Sequence, residues 1–414
     1  KNYVTQERVK RAVVIGAGFI GLEMAENLTL LGLDVIVVEM AGQVLTPVDF
    51  PMAAILQQYI RHKGLHLQLD TAVSGFEKTE NGLKVLLSTG GELEADVVIL
   101  SIGVKPDTRL ARESGLAIGD AKGIAVNEYL QTSDPDIYAV GDAIEFTNPI
   151  TRKPMVTYLA GPANKQGRIC ADNIVFGCRH KYKGSINTAI VRVFDMTAGT
   201  TGVASKHLIQ EGIKHHISTV TLGSHAGYYP GAHQLTIQLA FSPENGRLYG
   251  AQVIGFEGVD KRLDILASVI KREGTIDELT EFEHAYAPPF SSAKDPVNIA
   301  AFAAENILQQ SSVVFYWNET DKITPDDVLI DVRTKKEYEA GKITNAINIP
   351  VDELRSGLPD IPKDKNIYLY CQLGMRGYLA QRILMQQGYK NTFNLSGGYQ
   401  LWDACQREVN SSMK

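Results

Sequence analysis

Cysteine is scarce, with four residues (Cys170, Cys178, Cys371 and Cys405) among 414, and none stands in a C-x-x-C pair. That sparseness excludes a secreted disulfide scaffold and makes a reducing, cytoplasmic setting the expectation. Apolar runs are short as well. Val97-Val98-Ile99-Leu100 is strand-length, whereas a membrane span needs about 18 residues, so no membrane partner is expected. Lysine and arginine number 41 against 47 aspartate and glutamate, a net charge of -6, and no long basic run occurs. Little is therefore available to release counterions from a phosphate backbone, and nucleic acid is not an expected partner. The nine histidines show no metal-ligand spacing. His215-His216 and the pair His62/His66, which Gly64 interrupts, read as surface positions, and no metal is expected. The first residue is Lys1, and no charged and then apolar leader precedes the first strand. The chain reads as a fragment or processed product.

What is present is the composition of a folded soluble protein, 44% hydrophobic and 21% charged. At about 150 residues per domain the length implies roughly two to four units. Residues 11–16 read as a buried strand, 19–31 as a helix ended by Gly32, and 34–39 as a second buried strand. Together they form a strand-helix-strand unit, which requires parallel strands and a right-handed crossover. A further helix is predicted over 50–62, a strand over 137–141 and a helix over 162–176. Residues 185–308 carry alternating segments (189–193, 233–241, 251–255) and then two helices (260–271, 294–308), the pattern of an antiparallel sheet covered on one face. The polar stretch after Ser311-Ser312 reads as a linker, and 326–414 returns to alternating strands and helices.

Gly16-Ala-Gly18-Phe-Ile-Gly21 follows a strand, opens a helix, and is followed by Glu39 at the end of the next strand. Gly16 permits the tight turn, Gly18 lets backbone amides approach a pyrophosphate, and Gly21 lets helix and strand pack closely. Phosphate charge then sits at the helix N-terminus. Glu39 would accept hydrogen bonds from a ribose 2′-hydroxyl and repel a 2′-phosphate, which favours NAD(H) over NADP(H). The motif alone leaves nicotinamide and flavin dinucleotides open, since both use this cradle.

Thr132-Ser-Asp-Pro-Asp-Ile-Tyr-Ala-Val-Gly141-Asp142 resembles the second flavin motif of the pyridine nucleotide-disulfide oxidoreductase family, in which the aspartate binds a ribityl hydroxyl of FAD. A nearby helix N-terminus would stabilise charge on the reduced flavin. A plain turn with an exposed aspartate is the alternative. The resemblance runs from about residue 4 to 310 and includes Ile102-Gly103-Val-Lys-Pro106 and Tyr158-Leu-Ala160-Gly-Pro. It therefore implies that Gly103, Gly141, Asp142 and Ala160 contact cofactor. Within the family, Tyr286-Ala-Pro-Pro-Phe-Ser-Ser-Ala-Lys-Asp295 is most similar to the coenzyme A disulfide reductases, whose two active-site tyrosines fall on Tyr228 and Tyr286. A phenol can donate to a leaving thiolate. Tyrosines packed at a dimer interface are the alternative. Family members begin with another G-x-G-x-x-G unit and a single redox cysteine, neither of which occurs here, so an upstream segment of about 150 residues is expected. Cys170 and Cys178 lie in or just after the helix that follows Gly161 and read as structural thiols.

Residues 328–333, 347–350 and 367–370 read as buried parallel strands, the last running into Cys371-Gln-Leu-Gly-Met-Arg376 before a helix. This loop resembles the active loop of single-domain rhodaneses, and Asp331, Arg333 and Ser396-Gly-Gly398 match the other signatures of that family. Backbone amides, a helix N-terminus and Arg376 all favour an anion, so Cys371 is expected to be a reactive thiolate that carries sulfane sulfur. A phosphatase on the same fold usually has one more residue before the arginine. Cys405, in the terminal helix beside Trp402, reads as structural.

The two resemblances imply an α/β protein. Rossmann-like dinucleotide-binding domains cover 1–114 (NAD(H)) and 115–184 (the second part of the FAD domain). An α+β dimerisation domain covers 185–310, a linker 311–325, and a C-terminal rhodanese α/β domain 326–414. The implied activity is NADH- and FAD-dependent reduction of a coenzyme A disulfide, persulfide or polysulfide in a homodimer, joined to sulfur transfer at Cys371. The alternative is an NAD(H)-responsive rhodanese sulfur carrier without reductase activity. An NADH oxidase on the same scaffold is disfavoured by Tyr228, Tyr286 and the rhodanese loop.

Overall fold

The structure is a computed structural model and describes residues 2–6, 8–80, 82–355 and 361–412; Lys1 lies outside them. The valine- and isoleucine-rich segments Arg11–Ile15 and Asp34–Val38 form the middle of a parallel sheet. Its order is His66–Gln68, Asp34–Val38, Arg11–Ile15, Val97–Leu100. Such strands are β-branched because both faces are covered. Helix Phe19–Leu30 makes the first crossover and stops at Gly32, whose φ of 85° disfavours a β-carbon. Helix Phe50–His62 makes the second. An antiparallel meander, Val73–Lys78, Leu83–Leu87 and Glu92–Ala95, lies between them and the last strand.

The next block holds a short sheet, Ile124–Ala125, Ile144–Thr147 and Pro154–Met155, and the helix Ala160–Phe176. The strand predicted over 137–141 does not form. Tyr138 makes an isolated bridge to Gln131, and Gly141–Ala143 is a 3-10 turn. Ile137 and Val140 are exposed. Backbone groups there have no second ladder to join among the described residues, and β-propensity alone does not make a strand.

Residues 185–308 form the antiparallel sheet Ala189–Val193, Met196–Gly202, Leu248–Gly255, Gln234–Phe241, His216–Gly223 in that spatial order. Helices Val259–Lys271 and Pro296–Leu308 bury Leu263, Leu266, Ile270, Ala300, Ala304 and Ile307 against it. The C-terminal sheet is wholly parallel, in the order Val314–Phe315, Thr392–Leu395, Ile367–Tyr370, Val328–Asp331, Ile347–Asn348. The stretch 311–325, expected as a free linker, is built into this unit: Val314–Phe315 is its edge strand, Trp317–Lys322 is a 3-10 turn, and Phe315 is buried. The polar composition there reflects turn chemistry at a sheet edge.

Buried polar ties hold the units together. The Asp49 carboxylate accepts from Gln238 Nε2 (2.6 Å), Gln252 Nε2 (2.6 Å), Ser205 N (3.0 Å) and Lys206 N (2.9 Å), joining the first sheet to the antiparallel one. Glu408, in the terminal helix Gly398–Ser412, is buried and accepts from Gln57 Nε2 (2.6 Å) and Gln58 Nε2 and pairs with Arg61. Gln400 Nε2 donates to Gln234 Oε1 at 2.8 Å, and Thr219 N to Ser396 Oγ at 3.2 Å. Among the described residues no helix is long and apolar enough to cross a membrane, and no group of three or more His, Cys, Asp and Glu side chains is placed to hold a metal ion.

Candidate active sites

The glycine turn sits where the strand order reverses, at the carboxyl end of Arg11–Ile15, next to the end of Val97–Leu100. Gly16 adopts φ +100°, and a β-carbon there would lie 2.3 Å from Ser101 O. At Gly21 a β-carbon would lie 1.9 Å from Gly16 O, so the helix rests directly on the turn. Gly18 faces open space at the start of Phe19–Leu30, whose first amides have no side-chain cap. Glu39 Oε2 accepts from Ala17 N (2.7 Å) and Oε1 from Ala41 N (2.9 Å), which fixes the carboxylate beside the turn. Uncapped amides, an open glycine and an adjacent carboxylate fit a dinucleotide with free ribose hydroxyls. Gly21→Val is expected to weaken NADH binding by at least about ten-fold, because helix and turn must part to admit the side chain. Fluorescence titration with NADH checks this, and unchanged affinity would refute it.

Asp142 stands exposed in the 3-10 turn Gly141–Ala143, and Gly141, at φ +81°, has open space where a β-carbon would point. Gly141 N donates to Gln166 Oε1 (2.6 Å), pinning the turn to helix Ala160–Phe176. That helix starts without a side-chain cap, which leaves its first amides free of side-chain partners. Partial burial, with the Asp142 charge, holds the Tyr158 phenol above its usual range. Gly103 is exposed at φ +105° beyond the end of Val97–Leu100. These groups fit the ribityl and ring portions of a flavin.

Tyr228 and Tyr286, 58 residues apart in sequence, have hydroxyls 3.4 Å apart. They are 78% and 48% exposed, so the phenols project from the fold together and do not pack into its core. Sequence reading missed what holds them. Arg262 and Asp295 are a buried ion pair (2.9 Å). Arg262 also donates to Ser224 O (2.7 Å) at the root of the Tyr228 loop, while Asp295 accepts from Ser291 Oγ (2.6 Å) in the Tyr286 segment. Ala226 N donates to Ser291 O (3.0 Å), joining the two loops directly.

Cys371 follows directly on the central strand Ile367–Tyr370 and is 2% exposed, with Gly374 N donating to its Sγ at 3.1 Å. Helix Met375–Gln386 starts immediately beyond, without a side-chain cap. The Ser396–Gly398 turn closes the other side: Tyr399 N donates to Cys371 O (2.8 Å), and a β-carbon on Gly398 would lie 2.7 Å from that oxygen. Asp331 and Arg333 pair at 2.7 Å in the interior, and Arg333 donates to Gln372 Oε1 (3.1 Å), bracing the loop from beneath. Arg376 is held by Glu337 through two hydrogen bonds (2.8 and 2.6 Å). The spacing Thr334-Lys-Lys-Glu337, a capping-box pattern, was the one sequence signal for this second residue.

The fold and these loops define a nucleotide-dependent redox scaffold joined to a sulfur-transfer domain. Family profiles agree: pyridine nucleotide-disulphide oxidoreductase over residues 1–163, its dimerisation domain over 188–296, and a rhodanese-like domain over 316–405. Among curated relatives, a coenzyme A disulfide reductase of Staphylococcus haemolyticus is 32% identical, over 74% of this chain and 68% of its own length. An NADH oxidase of Methanocaldococcus jannaschii is 36% identical over 72% and 66%. Among solved structures, reduced Bacillus anthracis CoADR-RHD superposes with a TM-score of 0.95 at 45% identity, covering 98% of this chain and 73% of that one. A NAD-dependent persulfide reductase from A. fulgidus gives 0.89 at 37%, covering 96% and 73%. The chain belongs to the pyridine nucleotide-disulphide oxidoreductase family, with a C-terminal rhodanese-like domain, and spans about two-thirds of the length of the curated relatives it matches.

Proposed function

We propose that the protein takes part in NADH- and FAD-dependent reduction of a coenzyme A disulfide, persulfide or polysulfide, and that Cys371 exchanges sulfane sulfur with the same pool. The observation that carries the reading is the pair of phenol hydroxyls 3.4 Å apart, in a chain that also sets a cysteine against the Gly374 amide at the end of a parallel strand. Gly16, Gly18, Gly21 and Glu39 would hold NAD(H). Gly103, Gly141, Asp142 and Ala160 would hold FAD, which when bound would accept hydride from NADH and pass the electron pair on to a disulfide bond. Tyr228 and Tyr286 orient the sulfur substrate and donate a proton to the departing thiolate. The dimerisation domain supports a homodimer, and the free cysteines fit a reducing, cytoplasmic setting.

The test is steady-state NADH oxidation by the complete gene product with coenzyme A disulfide and coenzyme A persulfide. Tyr228→Phe combined with Tyr286→Phe should lower kcat about 10²-fold while the KM for NADH stays within about two-fold. NADH oxidation that needs no sulfur substrate, or that is indifferent to both phenols, would remove the reading.

A further inference from the structure

The active loop from Cys371 to Arg376 contains a single basic residue, Arg376, and the position after the cysteine is Gln372. Arg333, which braces the loop through Gln372, is committed to Asp331 in the interior. Arg376 is committed as well: NH1 donates to Glu337 Oε2 at 2.8 Å and NH2 to Oε1 at 2.6 Å, a bidentate pair. Glu337 is secured from its other side too, since Oε2 accepts from Thr334 N (3.0 Å) and Thr334 Oγ1 (2.8 Å) in the capping box of helix Lys335–Ala340. The carboxylate is therefore placed by its own helix, not drawn in by the guanidinium alone. Arg376 and these hydrogen bonds hold the Glu337 carboxyl at about 2, so the pair is charged on both sides at any working pH. A sulfur donor meets the Gly374 N–H, the start of a 12-residue helix, an Arg376 whose charge is balanced by Glu337 but still reaches Cys371, and an apolar rim of exposed Met375 and Leu379.

We propose that Glu337 is a specificity-determining residue: by neutralising Arg376 it tunes the Cys371 loop to an organic persulfide and against a divalent donor such as thiosulfate. The inference rests on the reading of Cys371 as the sulfur acceptor. In the favoured step the Cys371 thiolate attacks the outer sulfur of R–S–SH. The Sγ–S bond forms as the donor S–S bond breaks, the electron pair leaves on RS⁻, and Cys371 keeps the proton-bearing sulfur as a persulfide. Net charge is one negative before and after, and no outside oxidant or reductant is needed. With thiosulfate the same exchange releases sulfite and brings two negative charges against a thiolate. A free guanidinium would compensate them, and a neutralised one does not.

The experiment measures the second-order rate at which Cys371 gains one sulfur, by intact mass, from thiosulfate and from 2-hydroxyethyl persulfide, whose carbon chain carries no charge. It uses the full chain as wild type, Glu337→Gln, Arg376→Met and the double variant. The thiosulfate-to-persulfide ratio should follow the charge left in the site. It should rise about ten-fold or more in Glu337→Gln, fall in Arg376→Met, and return to within about two-fold of wild type in the double variant. Four points make the trend readable even if one variant fails to fold. A ratio that ignores the charge overturns the proposal while leaving Cys371 a sulfur acceptor. A wild-type Cys371 that gains sulfur from neither donor overturns the underlying reading and the inference with it.

Discussion

Cys371→Ser is expected to abolish sulfane sulfur transfer, by on the order of 10³-fold or more, while leaving NADH affinity within about two-fold. A serine hydroxyl cannot carry a persulfide, and the Gly374 amide that donates to Sγ at 3.1 Å offers no base to activate it. Two of the other three thiols are buried without a helix N-terminus or guanidinium beside them, and the third, Cys178, is exposed and serves as the internal control. Cys405 is fully buried in the terminal helix, and desolvation, reinforced by Glu408, pushes its thiol far above the usual range. Burial likewise raises Cys170. The measurement is sulfur loading followed by peptide mapping. Sulfur gained on any peptide other than the one holding residue 371 would contradict the assignment.

Arg262→Met should cost about 3–5 kcal/mol at neutral pH, because it strands a carboxylate in a fully buried position. Burial alone would raise the Asp295 carboxyl, but Arg262, the Ser291 hydroxyl and the Val297 amide bring it below the ordinary range. A carboxyl so depressed contributes stability above its unfolded value of about 4, and loses it as the pH falls through the lower folded value. In the variant the carboxyl keeps the Ser291 hydroxyl, the Val297 amide and Lys261 at 3.9 Å but loses the guanidinium, so burial draws it back up and the depressed-carboxylate contribution is lost. The gap between wild type and variant, read by urea unfolding at pH 7 and pH 4.5, should therefore narrow in acid. Adding Asp295→Asn, which keeps an acceptor for the Val297 amide, should recover about 1–2 kcal/mol. A variant as stable as wild type at pH 7 would contradict this account. Both tyrosine loops hang from this pair, so the Tyr228 and Tyr286 phenols should also lose their common orientation.

What the sequence made legible was local chemistry. Gly16 to Glu39 and Cys371 to Arg376 are short segments whose strand, turn and helix are encoded by neighbours, and the observed elements Phe19–Leu30, Phe50–His62 and Ile367–Tyr370 begin and end within a residue of expectation. The sites' supports were not legible, because each joins residues that no periodicity relates. Glu408 meets Gln57 across 351 positions, Asp49 meets Gln252 across 203, and Arg262 meets Asp295 across 33. A buried charge announces itself only once its partner is in place. The predicted strand over 137–141 failed for the opposite reason: its residues suit a strand, yet pairing is a property of neighbours.

The terminal helix has a kinetic corollary. With Glu408 seated among Gln57, Gln58 and Arg61, Gln400 fastened to Gln234 and Ser396 to Thr219, the sulfur-handling unit is riveted to the rest of the molecule at several separated points. A swinging-domain shuttle would have to break them all. Traffic between the Cys371 loop and the paired phenols therefore belongs to the cargo, and its rate should vary with the length and suppleness of the carrier molecule, not with solvent viscosity acting on the protein.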